Sequence, residues 1–331
     1  MRQSRALAAI AVILLMGACE QRAPVSAPVL APQVPSPWRE AESVALAPPP
    51  EVETSIAALA AYLAPPKETE EQKARAIFRW VTSHVNYDLE GYKSGVLESS
   101  GADETLKKRS AVCEGYSNLF EALASKAGLE CVTIHGFAKG AGYHVGAAFS
   151  GAPNHAWNAV RIEGRWRLVD CTWGAGALDE AGKYVHAFEP FYYDTPPEQF
   201  IYTHWPYEAR WQLAARAISQ EEFERLPWLK PAFFKCGLSF PNGALAAKLG
   251  GPVISLAVGA PKGAEVRAYL LRGEGKVFSE PLPCKRGERE IVMTALLPSA
   301  GDYVVRLYAS CEGRHELLDW AADVAVNWND N

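Results

Sequence analysis

The sequence has 331 residues, 49% of them hydrophobic and 21% charged, with a net charge of −5. That length suits about two domains, and the composition is that of a globular chain rather than a disordered or fibrous one. The acidic balance argues against binding nucleic acid through the phosphate backbone. No apolar run reaches the roughly 18 residues that a membrane-spanning helix needs.

The first segment reads as an address rather than as fold. Arg2 and Arg5 precede an uncharged stretch of 11 residues, Ala6 to Met16, and small residues then lead to Cys19. This is the pattern of a secretory signal. Leu15-Met16-Gly17-Ala18-Cys19 resembles the lipobox of bacterial lipoproteins, which implies cleavage after residue 18 and lipid attached to Cys19. An ordinary signal peptide with an incidental cysteine is the alternative. Eight prolines fall between Glu20 and Pro50, and proline fixes φ while removing a backbone donor. An extended tether over 19–52 is therefore expected, with an exported, membrane-anchored protein on the periplasmic or cell-surface side.

A short helix is expected from Thr54 to Leu63, stopped by Pro65-Pro66. Thr69 to Gln72 reads as a capping box, and Ala74, Ile77, Phe78, Val81 and Val85 recur at helical spacing, so a helix should reach about His84. Residues 88–108 read as a loop. From Cys113, apolar residues at Tyr116, Leu119, Phe120, Leu123, Ala124 and Ala127 again follow a helical repeat, with Gly128 as the stop. Strands are expected at Cys131–Phe137, Ala156–Ile162 and Trp166–Thr172, and a helix at Gln220–Arg225. Beyond Cys236, β-type runs at Val253–Val258, Val266–Leu271, Glu290–Leu296 and Tyr303–Tyr308 predict an all-β sandwich. The domain boundary is placed there, giving 53–235 and 236–331.

Cys113 sits at the start of its helix, where unpaired N–H groups and the dipole favour a thiolate. A buried structural cysteine is the bland alternative, so partners decide. If His155–Ile162 and Arg165–Asp170 form a hairpin turning at Glu163-Gly164, opposed residues sum to 327. His155 and Asp170 are then diagonal neighbours on one face. Asp170 can orient the imidazole of His155, whose other nitrogen can take the thiol proton of Cys113. Among the other histidines, His135 is expected to be a packed core residue. His84 should cap a helix end, and His144 lies in a Gly-rich loop able to approach the cleft. His186, His204 and His315 have no evident acidic or thiol partner.

No Cys-x-x-Cys, His-Glu-x-x-His, calcium loop or phosphate-binding glycine loop is present. No metal or other cofactor is expected, which leaves cofactor-free acyl transfer. Of the remaining cysteines, Cys171 is expected to be free, and Cys284 with Cys311 is a candidate disulfide.

Cys113-Glu114-Gly115-Tyr116-Ser117, His155-Ala156-Trp157-Asn158 and Asp170-Cys171-Thr172-Trp173-Gly174 resemble the transglutaminase-like superfamily. More narrowly they resemble its kyphoscoliosis peptidase branch. Arg79-Trp80-Val81, Asn86-Tyr87-Asp88, Gly136 to Gly140 and Pro197 to Ile201 fit the same pattern. The resemblance implies an α+β, papain-like core with a triad of Cys113, His155 and Asp170, followed by an immunoglobulin-like β domain. Trp157, Trp173, Tyr87 and His144 are candidates to line the cleft, and the Cys113 N–H is a candidate oxyanion donor. The expected activity is that of a protease or amidase on protein or peptide substrates of the cell envelope. The alternatives are transfer of the acyl group to an amine, or a catalytically silent scaffold.

Overall fold

The computed structural model describes residues 39–95, 101–179, 181–241, 247–250, 252–273, 275–311 and 318–329. The signal and lipobox reading, most of the tether and His315 lie outside the described residues. The end of the expected tether is helical instead of extended. Arg39–Leu46 forms α1, Ala45 is fully buried, and Glu42 accepts hydrogen bonds from Arg75 Nε and Nη2 at 2.9 and 2.6 Å. No proline interrupts these eight residues, so nothing in the backbone prevents the helix from packing.

Two further helices complete the N-terminal layer. Ile56–Leu63 (α2) is capped by the Ser55 hydroxyl, which accepts from the Ala58 N–H. Glu70–His84 (α3) opens on the expected capping box of Thr69 and Gln72, and buries Ala74, Ile77, Phe78 and Val81. The expected loop over 88–108 contains two helices, Leu89–Ser94 (α4) and Ala102–Lys108 (α5). Asp88 caps the first through the Gly91 N–H, and Asp103, Glu104, Lys107 and Lys108 match the dipole of the second. Strand Asn86–Tyr87 (β1) pairs in parallel with Ser110–Ala111 (β2), which delivers the chain to Cys113–Lys126 (α6).

The central sheet comprises Cys131–Ala138 (β3), His155–Ile162 (β4) and Arg165–Val169 (β5). The β4–β5 register runs Ile162↔Arg165 to Asn158↔Val169, a sum of 327 throughout, as the hairpin reading requires. Both turn residues, Glu163 (φ 50) and Gly164 (φ 78), are left-handed, the backbone of a two-residue turn that matches strand twist. Beyond β5 the chain forms a short helix, Cys171–Ala175 (α7), where continued strand was expected. A hairpin of Gly176–Leu178 (β6) and Tyr184–His186 (β7) follows, then the short helix Pro197–Phe200 (α8). His204–Pro206 (β8) returns to the sheet, giving the antiparallel order β5-β4-β3-β8. Val160 and Ile162 on one face pack with the helical layer, while Trp157 and Ala159 on the other pack with Leu168, Ile134 and Phe200.

Helix Gln220–Arg225 (α9) appears at its expected bounds. Trp228–Leu229 (β9) and Pro231–Lys235 (α10) lead into a strand-rich region built of Ala247–Gly250 (β10), Val253–Gly259 (β11), Glu265–Arg272 (β12) and Gly275–Lys276 (β13). It continues through Cys284–Arg286 (β14), Glu290–Leu296 (β15), Gly301–Ser310 (β16) and Asp319–Trp328 (β17). Two sheets result, ordered β10-β11-β15-β14 and β13-β12-β16-β17-β9. Ile254, Leu256 and Val258 of the first share a cluster with Leu270, Val305 and Leu307 of the second, and with Phe233 and Cys236. The disulfide joins Cys236 to Cys311, correcting the expected Cys284–Cys311 pair; Cys284 is free and exposed. β14 carries Cys284 on the far side of β15, whereas Cys311 follows β16 in the other sheet.

Candidate active site

Three elements end at one place. Helix α6 begins with Cys113, after the N-cap Val112, whose carbonyl accepts the Gly115 and Tyr116 N–H groups. Strand β4 begins with His155, and Asp170 is the N-cap of α7, its Oδ1 accepting the Trp173 N–H at 3.0 Å. The two-residue turn at 163–164 fixes the register that sets His155 beside Asp170.

His155 Nε2 lies 2.8 Å from Asp170 Oδ2, and His155 and Asp170 are 8% and 0% exposed. The Cys113 sulfur lies close enough to the His155 ring and to the Ala156 N–H for both to favour its anion. Since Nε2 is committed to Asp170, Nδ1 is the nitrogen that serves the thiol. Burial opposes ionisation of both partners. For His155 the carboxylate charge and hydrogen bond of Asp170, with the sulfur of Cys113, overcome it and raise its pKa to about 10. For Cys113 the hydrogen bond and charge of His155, with the Ala156 N–H, overcome it and lower the thiol below its ordinary value. Burial likewise opposes the Asp170 anion, but the two histidines beside it hold its carboxyl well below the usual range. The arrangement is a thiol and an imidazole whose charges favour each other, with the imidazole oriented by a buried carboxylate.

A second histidine belongs to this site, against expectation. His204 Nε2 lies 3.0 Å from the same Asp170 Oδ2, and its Nδ1 is 2.8 Å from Thr203 Oγ1. The ring is 1% exposed, stacked on Phe200 at 3.9 Å and 4.4 Å from the Trp173 ring. Burial is the main reason its pKa falls to about 4, so it stays neutral. Strand β8 brings it in, since Ala138 of β3 pairs with His204 while Gly136 pairs with both His155 and Pro206. A Cβ on Gly136 would lie 2.2 Å from Trp205 O and 2.6 Å from the Trp157 ring, so only glycine admits this approach.

His155, Asp170 and His204 offer ligand atoms within 4.8 Å of one another. Both Nε2 atoms point at the shared Oδ2, so each carries its proton where a metal would need a lone pair.

Trp157 is 1% exposed and packs beneath His155, with ring centroids 6.0 Å apart. It is core rather than cleft lining. Trp173 is half-buried and 5.2 Å from the His155 ring. Tyr87 is half-buried across from Ala111, two residues before Cys113, and its ring lies 5.8 Å from Tyr184. His144 is exposed, and its side chain makes no hydrogen bond or ring contact among the described residues. His135 is exposed instead of core, its Nε2 lying 2.9 Å from Glu114. His84 closes α3, its Nδ1 lying 3.0 Å from Trp80 O. His186 Nε2 contacts Thr82 O at 2.7 Å. Lys139, from the glycine-flanked segment after β3, is fully buried, and its Nζ donates to Phe223 O and Leu226 O at 2.8 and 2.7 Å.

Comparison with known proteins points the same way as this geometry. The family model of the transglutaminase-like superfamily core matches residues 57–171, which hold Cys113, His155 and Asp170. Residues 57–171 are thus similar to the transglutaminase-like core. Among curated proteins, kyphoscoliosis peptidase of Mus musculus is 39% identical over 168 residues, covering 50% of this chain and 25% of that protein. Hillarin of Drosophila melanogaster is 33% identical over 258 residues, covering 70% and 31%. The chain thus spans about a quarter to a third of the length of these relatives. A solved structure of a TGase is 21% identical, covering 37% of this chain and 31% of its own, with a TM-score of 0.26.

Proposed function

We propose that this transglutaminase-like domain is a thiol acyl-transfer enzyme that hydrolyses peptide or amide bonds. The buried His155–Asp170 hydrogen bond, with Cys113 beside the imidazole at the start of α6, is the observation that carries the reading. The Cys113 thiolate adds to the carbonyl carbon, and the Cys113 N–H at the start of α6 stabilises the oxyanion. His155 gives its proton to the leaving amine as the C–N bond breaks, leaving a thioester on Cys113. Water, deprotonated by His155, then attacks the thioester and releases the acid, and the sulfur departs as thiolate.

The name of the peptidase relatives favours hydrolysis over transfer to an amine. Incubation with a glutamine-containing or amide-blocked peptide and a labelled primary amine separates the two. Cleavage without label, lost in Cys113→Ala, is expected; label joined to the acyl donor means transamidation, and no product with any peptide in a panel means a silent domain. The lipobox-like segment ending at Cys19 supports export and anchoring at a membrane, with envelope proteins or peptides as substrates. The Cys236–Cys311 disulfide supports the same address, because such bonds persist in oxidising compartments. The two-sheet C-terminal region is consistent with an immunoglobulin-like module serving as an attachment or docking domain.

A further inference from the structure

We propose that His204 is a positioning residue of this active site: its Nε2–H holds the Asp170 carboxylate in the one orientation that serves His155. The inference rests on the thiol acyl-transfer reading of the site and adds a fourth member to its hydrogen-bonded chain.

The argument starts from what Asp170 must do. A carboxylate on a short side chain can rotate, and an oxygen that swings by even a fraction of an ångström leaves the His155 ring without its fixed tautomer. Asp170 is gripped at both ends. Oδ1 accepts the Trp173 N–H at 3.0 Å, and Oδ2 accepts from His155 and His204 at 2.8 and 3.0 Å. Of the three donors, only the His155 ring changes charge during catalysis. The Trp173 N–H and the His204 N–H are the fixed points.

His204 is itself over-determined. Thr203 Oγ1 sits against Nδ1, Phe200 stacks on one face of the ring, and Trp157 and Trp173 enclose it at 5.1 and 4.4 Å. The backbone is pinned as well, because the Lys139 N–H donates to Thr203 O at 2.9 Å. A solvent-free ring in this enclosure keeps a single neutral tautomer: the Asp170 carboxylate only accepts, so Nε2 carries the proton, and the Thr203 hydroxyl, 2.8 Å from Nδ1 against 3.2 Å from Phe200 O, donates to Nδ1. Neutrality matters. A second imidazolium on the same carboxylate would compete with His155 for its charge. The titratable groups around the carboxylate are His155 with Cys113 from β4 and α6, Cys171 from α7, Tyr87 from β1 and Tyr192 before β8. Burial keeps the two tyrosines and Cys171 neutral, so the anion His204 faces is Asp170, with the Cys113 sulfur lying on the other side of the His155 ring.

Two variants separate a hydrogen-bonding role from simple packing. His204→Phe keeps a ring on Phe200 but removes the donor; His204→Gln loses the ring but keeps an N–H able to reach Oδ2. The readout is the pH dependence of the Cys113 thiolate, followed by its ultraviolet absorbance, which needs no substrate and so stands apart from whether peptide is cleaved. In His204→Phe the thiolate should form at higher pH, with the alkylation rate near pH 6 reduced about 10-fold or more, the size of a shift of one pKa unit. His204→Gln should stay within about threefold of the wild type. Equal behaviour of all three proteins, or equal loss in both variants, overturns the proposal. Should His204→Phe fail to fold, nitrogen NMR of the wild-type histidine rings gives the same decision. One ring, neutral and protonated on Nε2 from about pH 5 to 9, is required beside the imidazolium of His155; a His204 ring that titrates in that range or carries its proton on Nδ1 overturns it.

Discussion

At the scale of single residues, the site works by making burial and charge oppose each other. His155 is almost fully enclosed, which should keep an imidazole neutral, yet the Asp170 carboxylate at 2.8 Å raises its pKa to about 10. The sign for stability follows by linkage. A histidine whose folded pKa lies above its ordinary 6.5 stabilises the fold fully below that value and loses the contribution as pH rises through about 10. The stability difference between the wild type and His155→Gln should therefore shrink from about pH 6.5 to 10 in denaturant titrations; a difference that grows across this window contradicts the assignment. Cys113, His155 and Asp170 are readable from sequence because two of them sit on one hairpin with a two-residue turn, and the third opens a strongly periodic helix. His204 is not. It lies 34 residues beyond Asp170 in an aromatic-rich stretch with little periodicity, and only the return of β8 to the sheet brings the two together.

At the scale of elements, local chemistry decides what is legible. The capping box at Thr69, the stop at Gly128 and the Glu163-Gly164 turn each announce their elements, and those elements form close to the expected bounds. Helices α4 and α5 are too short to show a repeat and are flanked by glycine and serine, so 88–108 reads as loop. The run β17 buries four consecutive residues, Ala321 to Val324, and lacks the alternation that reveals a half-buried strand. The same turn offers a test of backbone strain. Glu163 holds φ 50 without the tolerance that asparagine has for this region, so Glu163→Asn should raise stability by about 0.5–1 kcal/mol in urea titrations; a loss of stability contradicts the turn assignment. Lys139 ties the end of β3 to α9 by donating to two carbonyls. Lys139→Met leaves Leu226 O without its donor, while Phe223 O keeps the Leu226 N–H, and should cost about 1–3 kcal/mol. An unchanged unfolding midpoint shows that Leu226 O finds another partner.

At the scale of the whole molecule, the region after α9 is joined to the rest by more than chain continuity. Strand β9 lengthens the sheet of β17, and α10 buries Phe233 in the core between the two C-terminal sheets. Cys236–Cys311 spans 75 residues and fastens the end of α10 to the end of β16. Closing a loop of that length restricts the unfolded chain, so reduction or paired substitution by serine should lower stability by about 2–4 kcal/mol; no change under reducing conditions contradicts a structural role. Sequence shows the change from helical to β-type texture beyond Cys236, but it cannot pair cysteines whose partners are set by which sheet each strand joins. The proposed activity rests on one electrostatic condition, an ionised pair of Cys113 and His155. The rate of Cys113 alkylation by iodoacetamide as a function of pH, read by mass spectrometry, tests it most directly. Fast labelling near pH 6 confined to Cys113, slowed in His155→Ala, is the predicted result; labelling that rises only near pH 8.5, the range of an ordinary thiol, and is indifferent to His155 contradicts it.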